Sequence, residues 1–124
     1  MKQIVPLLQV SNLADTIGYY EEALGFSLVF RWPEEGEPRW VGMSRGDIAI
    51  MFTIDLGTSS APFIAEKGNG VVLYVLVNEV APLFDELVAR GAIIVQEVHD
   101  FGGRHQFSIA DPNGYILAFS EAFA

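Results

Sequence analysis

The 124 residues contain two histidines, His99 and His105, and no cysteine. That composition excludes zinc–thiolate sites, disulfides, iron–sulfur ligation and cysteine nucleophiles together. His99 stands beside Asp100 in the run Glu97-Val98-His99-Asp100-Phe101-Gly102-Gly103. With Asp100 and His105 it would make a metal or proton site of imidazole and carboxylate groups. Neighbours in a hairpin seldom converge on one point, so solvent-facing polar residues are the stronger reading. Arg104 carries a planar fork suited to a carboxylate or a phosphate, set against a plain ion pair with one of 16 acidic residues. Asp111, in Asp111-Pro112-Asn113-Gly114, reads as a turn former through side-chain-to-backbone hydrogen bonds. Trp32 and Trp40 flank the polar loop Pro33–Pro38, and alternation sets Phe30 on the same strand face as Trp32. Such rings can stack on an aromatic or cationic ligand, and Glu34, Glu35 and Glu37 on the loop would attract a basic one.

The elements that must position these residues repeat. Ile4–Val10 reads as a strand, and Asn12 caps a helix with Leu13, Ile17, Tyr20 and Leu24 on one face and Gly25 at its end. Phe26–Trp32 is a strand, followed by a hairpin of Trp40–Met43 and Ile48–Ile54 around Arg45-Gly46-Asp47. The second half follows the same plan. A strand runs over Val71–Val77, and a helix capped by Asn78 carries Val80, Phe84, Leu87 and Val88 on one face and ends at Gly91. Strands follow over Ala92–Val98, Gln106–Ala110 and Tyr115–Phe119. The chain therefore divides into a first module over 1–55, a linker over 56–70 and a second module over 71–124, forming a single domain. Each half is too small to close a core alone, so the two pair within the chain or across a dimer.

The balance of 7 basic against 16 acidic residues gives a net charge of −9. Such a chain repels phosphate backbones and anionic membranes. A neutral or cationic small molecule is the easier partner. No stretch approaches the ~20 apolar residues of a membrane span, and Gln9, Asn12 and Asp15 interrupt the first apolar run too early for a signal peptide. A cytoplasmic location is expected.

Pro6-Leu7-Leu8-Gln9-Val10-Ser11-Asn12, Tyr19-Tyr20 and Leu24-Gly25-Phe26 resemble the opening module of the glyoxalase/bleomycin-resistance/extradiol-dioxygenase superfamily, the vicinal oxygen chelate proteins. Ala89-Arg90-Gly91-Ala92 and the stretch from Gly103-Arg104 through Asp111-Pro112-Asn113-Gly114-Tyr115 resemble its second. The resemblance implies an α+β fold of two tandem β-α-β-β-β modules forming a cupped, half-open barrel, paired in a dimer. Its metal-dependent members hold four His, Gln or Glu ligands on the first and last strands of each module. Carried over, those positions are Val5, Val72, Ala118 and, to within one residue, Ile50. All are apolar, so the expectation is no metal and no cofactor.

The branch resembled is the bleomycin-resistance one, which binds its ligand without turnover. A small, aromatic or cationic guest is expected in a pocket walled by Val5, Leu7, Ile50, Val72 and Ala118. Gln9, Trp32, Trp40, Phe52, Tyr74 and Arg104 are expected to touch it. The alternative is a lyase, isomerase or dioxygenase using a divalent metal on His99, His105 or Glu121.

Overall fold

A computed structural model describes residues 1–54, 70–101 and 103–121. The expected linker lies, apart from Gly70, outside the described residues. The chain separates into two compact units, Met1–Lys67 and Gly68–Ala124.

The first unit runs β1 (Leu7–Val10), α1 (Leu13–Glu22), β2 (Ser27–Trp32), β3 (Trp40–Arg45) and β4 (Ile48–Ile54). Its sheet has the order β1-β4-β3-β2, with β1 parallel to β4 and the other pairs antiparallel. Asn12 Oδ1 accepts from the Asp15 N–H at 2.9 Å, so the expected cap forms. The helix stops at Glu22, earlier than expected. Gly25 serves the exit turn, with φ 74°. Tyr20 is fully buried, and its ring meets Phe26 at 5.5 Å and Phe52 at 4.7 Å. Those contacts define the helix-covered face of the sheet. Gly46, with φ 57°, makes the β3–β4 turn possible.

The second unit runs β5 (Val72–Val77), α2 (Val80–Arg90), β6 (Ile93–Phe101), β7 (Arg104–Ala110) and β8 (Ile116–Glu121). Its sheet order is β5-β8-β7-β6, the same topology as the first unit. Phe107 is fully buried on the helix side, 5.1 Å from Phe84 and 5.0 Å from Phe119. Val88, expected on the buried face of α2, is 48% exposed. Asn78 does not cap this helix. Glu79 occupies the cap position, and its side chain makes no capping bond. The Val80 N–H donates instead to Glu121 Oε2 at 3.2 Å. Gly91, with φ 90°, closes the helix as expected. Asp111 Oδ1 accepts from the N–H groups of Asn113 at 2.8 Å and Tyr115 at 2.9 Å, fixing the β7–β8 turn.

Candidate functional site

Each sheet is covered by its helix on one face, and the strand register shows which residues share the other. In the first unit Gln9 pairs with Thr53, Thr53 with Trp40, and Trp40 with Trp32. Paired residues point to the same face, so these four form one row across the sheet. The next row is Leu7, Met51, Gly42 and Phe30. Both rows lie opposite the buried Phe52.

Gly42 shapes this face. A Cβ there would overlap the Phe30 ring, which lies over the glycine and buries it. Phe30 also meets Trp40 edge to face, with centroids 6.1 Å apart at 70°. Phe30, Arg31, Trp32, Glu34 and Trp40 line a groove of about 420 Å³. Trp32 is 59% exposed, Phe30 43% and Trp40 40%, an unusual amount of aromatic surface for one sheet. Arg31 Nη2 donates to the Gly36 carbonyl and ties the Pro33–Pro38 loop to β2, and the Trp32–Pro33 peptide is cis.

In the second unit the open face carries Tyr74, Ala118, Ser108 and Gln96 in one row, and Leu76, Ser120, Gln106 and His99 in the next. Tyr74 is 49% exposed. Its hydroxyl oxygen accepts from Gln106 Nε2 at 3.1 Å. Arg104 falls on this face by alternation along β7, two residues before Gln106.

The expected residues thus separate. Gln9, Trp40 and Trp32 share the open face of the first unit, and Tyr74 and Arg104 that of the second. Phe52 does not belong with either. It is fully buried against Tyr20 on the helix side, and Ile50 lies on that side too. The expected wall position next to Leu7 belongs to Met51. Register explains the slip. Leu7 pairs with Met51 as Tyr74 pairs with Ala118, so Met51 is the counterpart of Ala118. Counting back from the turn glycines misses by one because the β3–β4 turn is shorter than the β7–β8 turn.

The four carried-over ligand positions are therefore Val5, Met51, Val72 and Ala118. None offers imidazole or carboxylate, and a thioether suits soft ions only, so these residues do not fit a divalent metal. The substitute set fares no better. His99 pairs with Gln106 and His105 with Asp100, which puts the two imidazoles on opposite faces. His105 Nδ1 does reach Glu121 Oε1 at 3.2 Å, but as part of the α2 cap. Among the described residues no three His, Asp or Glu side chains gather as a metal site. The backbone N–H of His105, then that of Val80, hold the Glu121 carboxyl below the usual carboxylate range, with help from the His105 ring.

Sequence reasoning set Phe30 on the face of Trp32 but missed Gly42 as its seat, and it missed Gln96, Gln106 and Ser108 as polar residues of the second sheet. Alternation along each strand contained the second signal, since Gln106 and Ser108 occupy one face of β7.

The model of the Glyoxalase/Bleomycin resistance protein/Dioxygenase superfamily matches residues 2–119, and the chain belongs to that superfamily. Its fold agrees with that of solved structures. TioX from Micromonospora sp. ML1 superposes with a TM-score of 0.75 at 22% identity, covering 99% of this chain and 98% of that one. A bleomycin resistance determinant encoded on the transposon Tn5 gives 0.73 at 21% identity over 100% of both chains. A bleomycin-binding protein complexed with bleomycin gives 0.70 at 21%, over 99% of this chain and 100% of that one. No curated protein matches the sequence significantly. Among the described residues no helix is long and apolar enough to cross a membrane.

Proposed function

We propose that this chain is a metal-independent small-molecule binder that sequesters a planar, cationic ligand in the cytoplasm without turning it over. The aromatic groove of the first unit carries the reading. Three rings converge there, with Glu34 beside them and Arg31 bonded to the Gly36 carbonyl. Exposed rings of this kind supply large contact area at low entropic cost and attract cations over their faces. The net charge of −9 favours the same guest. Metal independence rests on the chemistry of Val5, Met51, Val72 and Ala118. The bleomycin complex among the structural neighbours supports ligand binding as the role of the fold. Gln9, in the tryptophan row, and Tyr74 and Arg104, on the second sheet, remain contact candidates. A homodimer is part of the proposal, since Val72, Tyr74 and Leu76 on β5 are each about half exposed. A monomer mass by light scattering would overturn that part.

Proflavine, a planar aromatic cation, is the probe. Titration should quench the tryptophan fluorescence saturably. Trp32→Ala and Trp40→Ala should each weaken binding by tenfold or more, about 1.4 kcal/mol. Quenching that does not saturate, or that is unchanged in both variants, sinks the proposal.

A further inference from the structure

The aromatic groove of the first unit is lined by charge of both signs, since Arg31 borders it together with Glu34 and the three rings. Arg31 alternates with Phe30 and Trp32 along β2. That strand is the edge of its sheet, so a side chain of the other parity can still border the groove at its loop end. An arginine and a glutamate lining one groove are natural partners, yet these two do not pair. Among the described residues the Gly36 carbonyl, bonded by Nη2, is the one partner of the Arg31 guanidinium, and the Glu34 carboxylate has none. We infer that the guest of this groove is a zwitterion, a planar aromatic cation carrying a carboxylate at its edge, with Arg31 receiving the carboxylate and Glu34 the positive charge. The inference rests on the groove being the binding site and names the class of molecule that fills it.

A guest with positive charge alone would lie beside the positive Arg31 head, and like charges at contact distance repel. A carboxylate on the guest turns that repulsion into attraction. The guanidinium is suited to it. Its N–H donors lie in one plane, and the bond to Gly36 uses only one of them. Nε is buried without a hydrogen-bond partner, so the half-buried head sits in a partly dry setting, where an opposite charge gains more than in water. The tie to Gly36 also holds the head in place, and a fork already held loses little freedom on taking a carboxylate. Bonds of this charge-assisted kind are roughly twice as strong as neutral ones. The net charge of −9 does not prevent the contact. Exposed charges beyond about 8 Å are largely screened at physiological salt, which leaves the local pairing with Arg31 to decide.

Rhodamine 110 and rhodamine 123 share one planar xanthene cation and differ only in a carboxylate against its methyl ester. Calorimetric titration of both, and of proflavine, tests the inference. Rhodamine 110 should bind about tenfold more tightly than rhodamine 123. Arg31→Gln should abolish that preference by weakening rhodamine 110, and should tighten proflavine, because a like charge has gone. Opposite signs for two ligands are what a merely structural arginine would not give. Arg31→Lys, which keeps the charge and loses the fork, should keep part of the preference. Glu34→Gln should weaken proflavine and rhodamine 123 alike. Saturable proflavine binding with rhodamine 110 no tighter than rhodamine 123, or an Arg31→Gln chain that weakens all three ligands equally, overturns the inference and leaves the groove reading standing. Absence of saturable proflavine binding to the native chain removes the groove reading itself, and this inference with it.

Discussion

Phe30 rests where Gly42 has no side chain, and the groove takes its depth from that seat. A methyl group at 42 must push the ring outward or shift the strand. Gly42→Ala should therefore cost about 1–3 kcal/mol of stability, as overpacking does. The variant should also lose most of its affinity for proflavine while both tryptophans remain. Thermal unfolding and the fluorescence titration read the two effects separately. Unchanged stability and affinity would mean that the ring moves freely. Phe30→Leu should lower affinity with little loss of stability, because the ring is already 43% exposed. At this scale the sequence was only half legible. Trp32 and Trp40 could be picked out beside their loop, but the partnership of Phe30 and Gly42 depends on a cross-strand pairing that includes a register shift between Leu28 and Phe30.

The helix α2 begins without a capping side chain of its own and borrows one from β8. Glu121 accepts from Val80 N–H at the helix start and from His105 N–H on β7, so one carboxylate joins three elements. Its pKa is lowered in the folded chain, chiefly by the His105 N–H. The stability it contributes is complete above the ordinary glutamate value of about 4.3 and is lost as pH falls through the lower folded value. Glu121→Gln should flatten the fall in melting temperature on the acid side, and lower that temperature by a few degrees near neutrality. Identical pH profiles in the two proteins would refute the assignment. The strands, the first helix and the Asp111 turn were readable because periodicity and caps are local signals. The Glu121 cap was not, since the carboxylate is far along the chain from the helix it serves. Strand parity failed at Phe52 and Ile50 for a related reason. One uncounted turn residue exchanges the two faces of a strand.

For the whole molecule, the repeat was visible in the spacing of its glycines, and the family resemblance was carried by motifs such as Leu24-Gly25-Phe26 and Asp111-Pro112-Asn113-Gly114-Tyr115. What each half binds was not, because the two open faces share register and not residue type. Metal removal tests the proposal at this scale. Elemental analysis of purified protein should find no divalent metal at stoichiometric levels, and EDTA should leave both the melting temperature and proflavine affinity unchanged. Stoichiometric metal, or a loss of either property on chelation, would restore the enzyme reading and demand ligands other than those at the inherited positions. Saturating proflavine should raise the melting temperature, since a ligand that binds only the folded state stabilises it.

The registers of the two sheets, matched apart from a further irregularity between Gln96 and His99, make their surface residues transplantable. Phe30, Gly42 and Trp40 are held by the same lattice of strand pairs as Gln96, Ser108 and Gln106. Writing Gln96→Phe, Ser108→Gly and Gln106→Trp into one chain would copy an aromatic platform onto the other half, and a doubled proflavine stoichiometry would report it. Duplication of such a module leaves a lineage with a spare surface, on which a new chemical preference can be tried while the original one is kept.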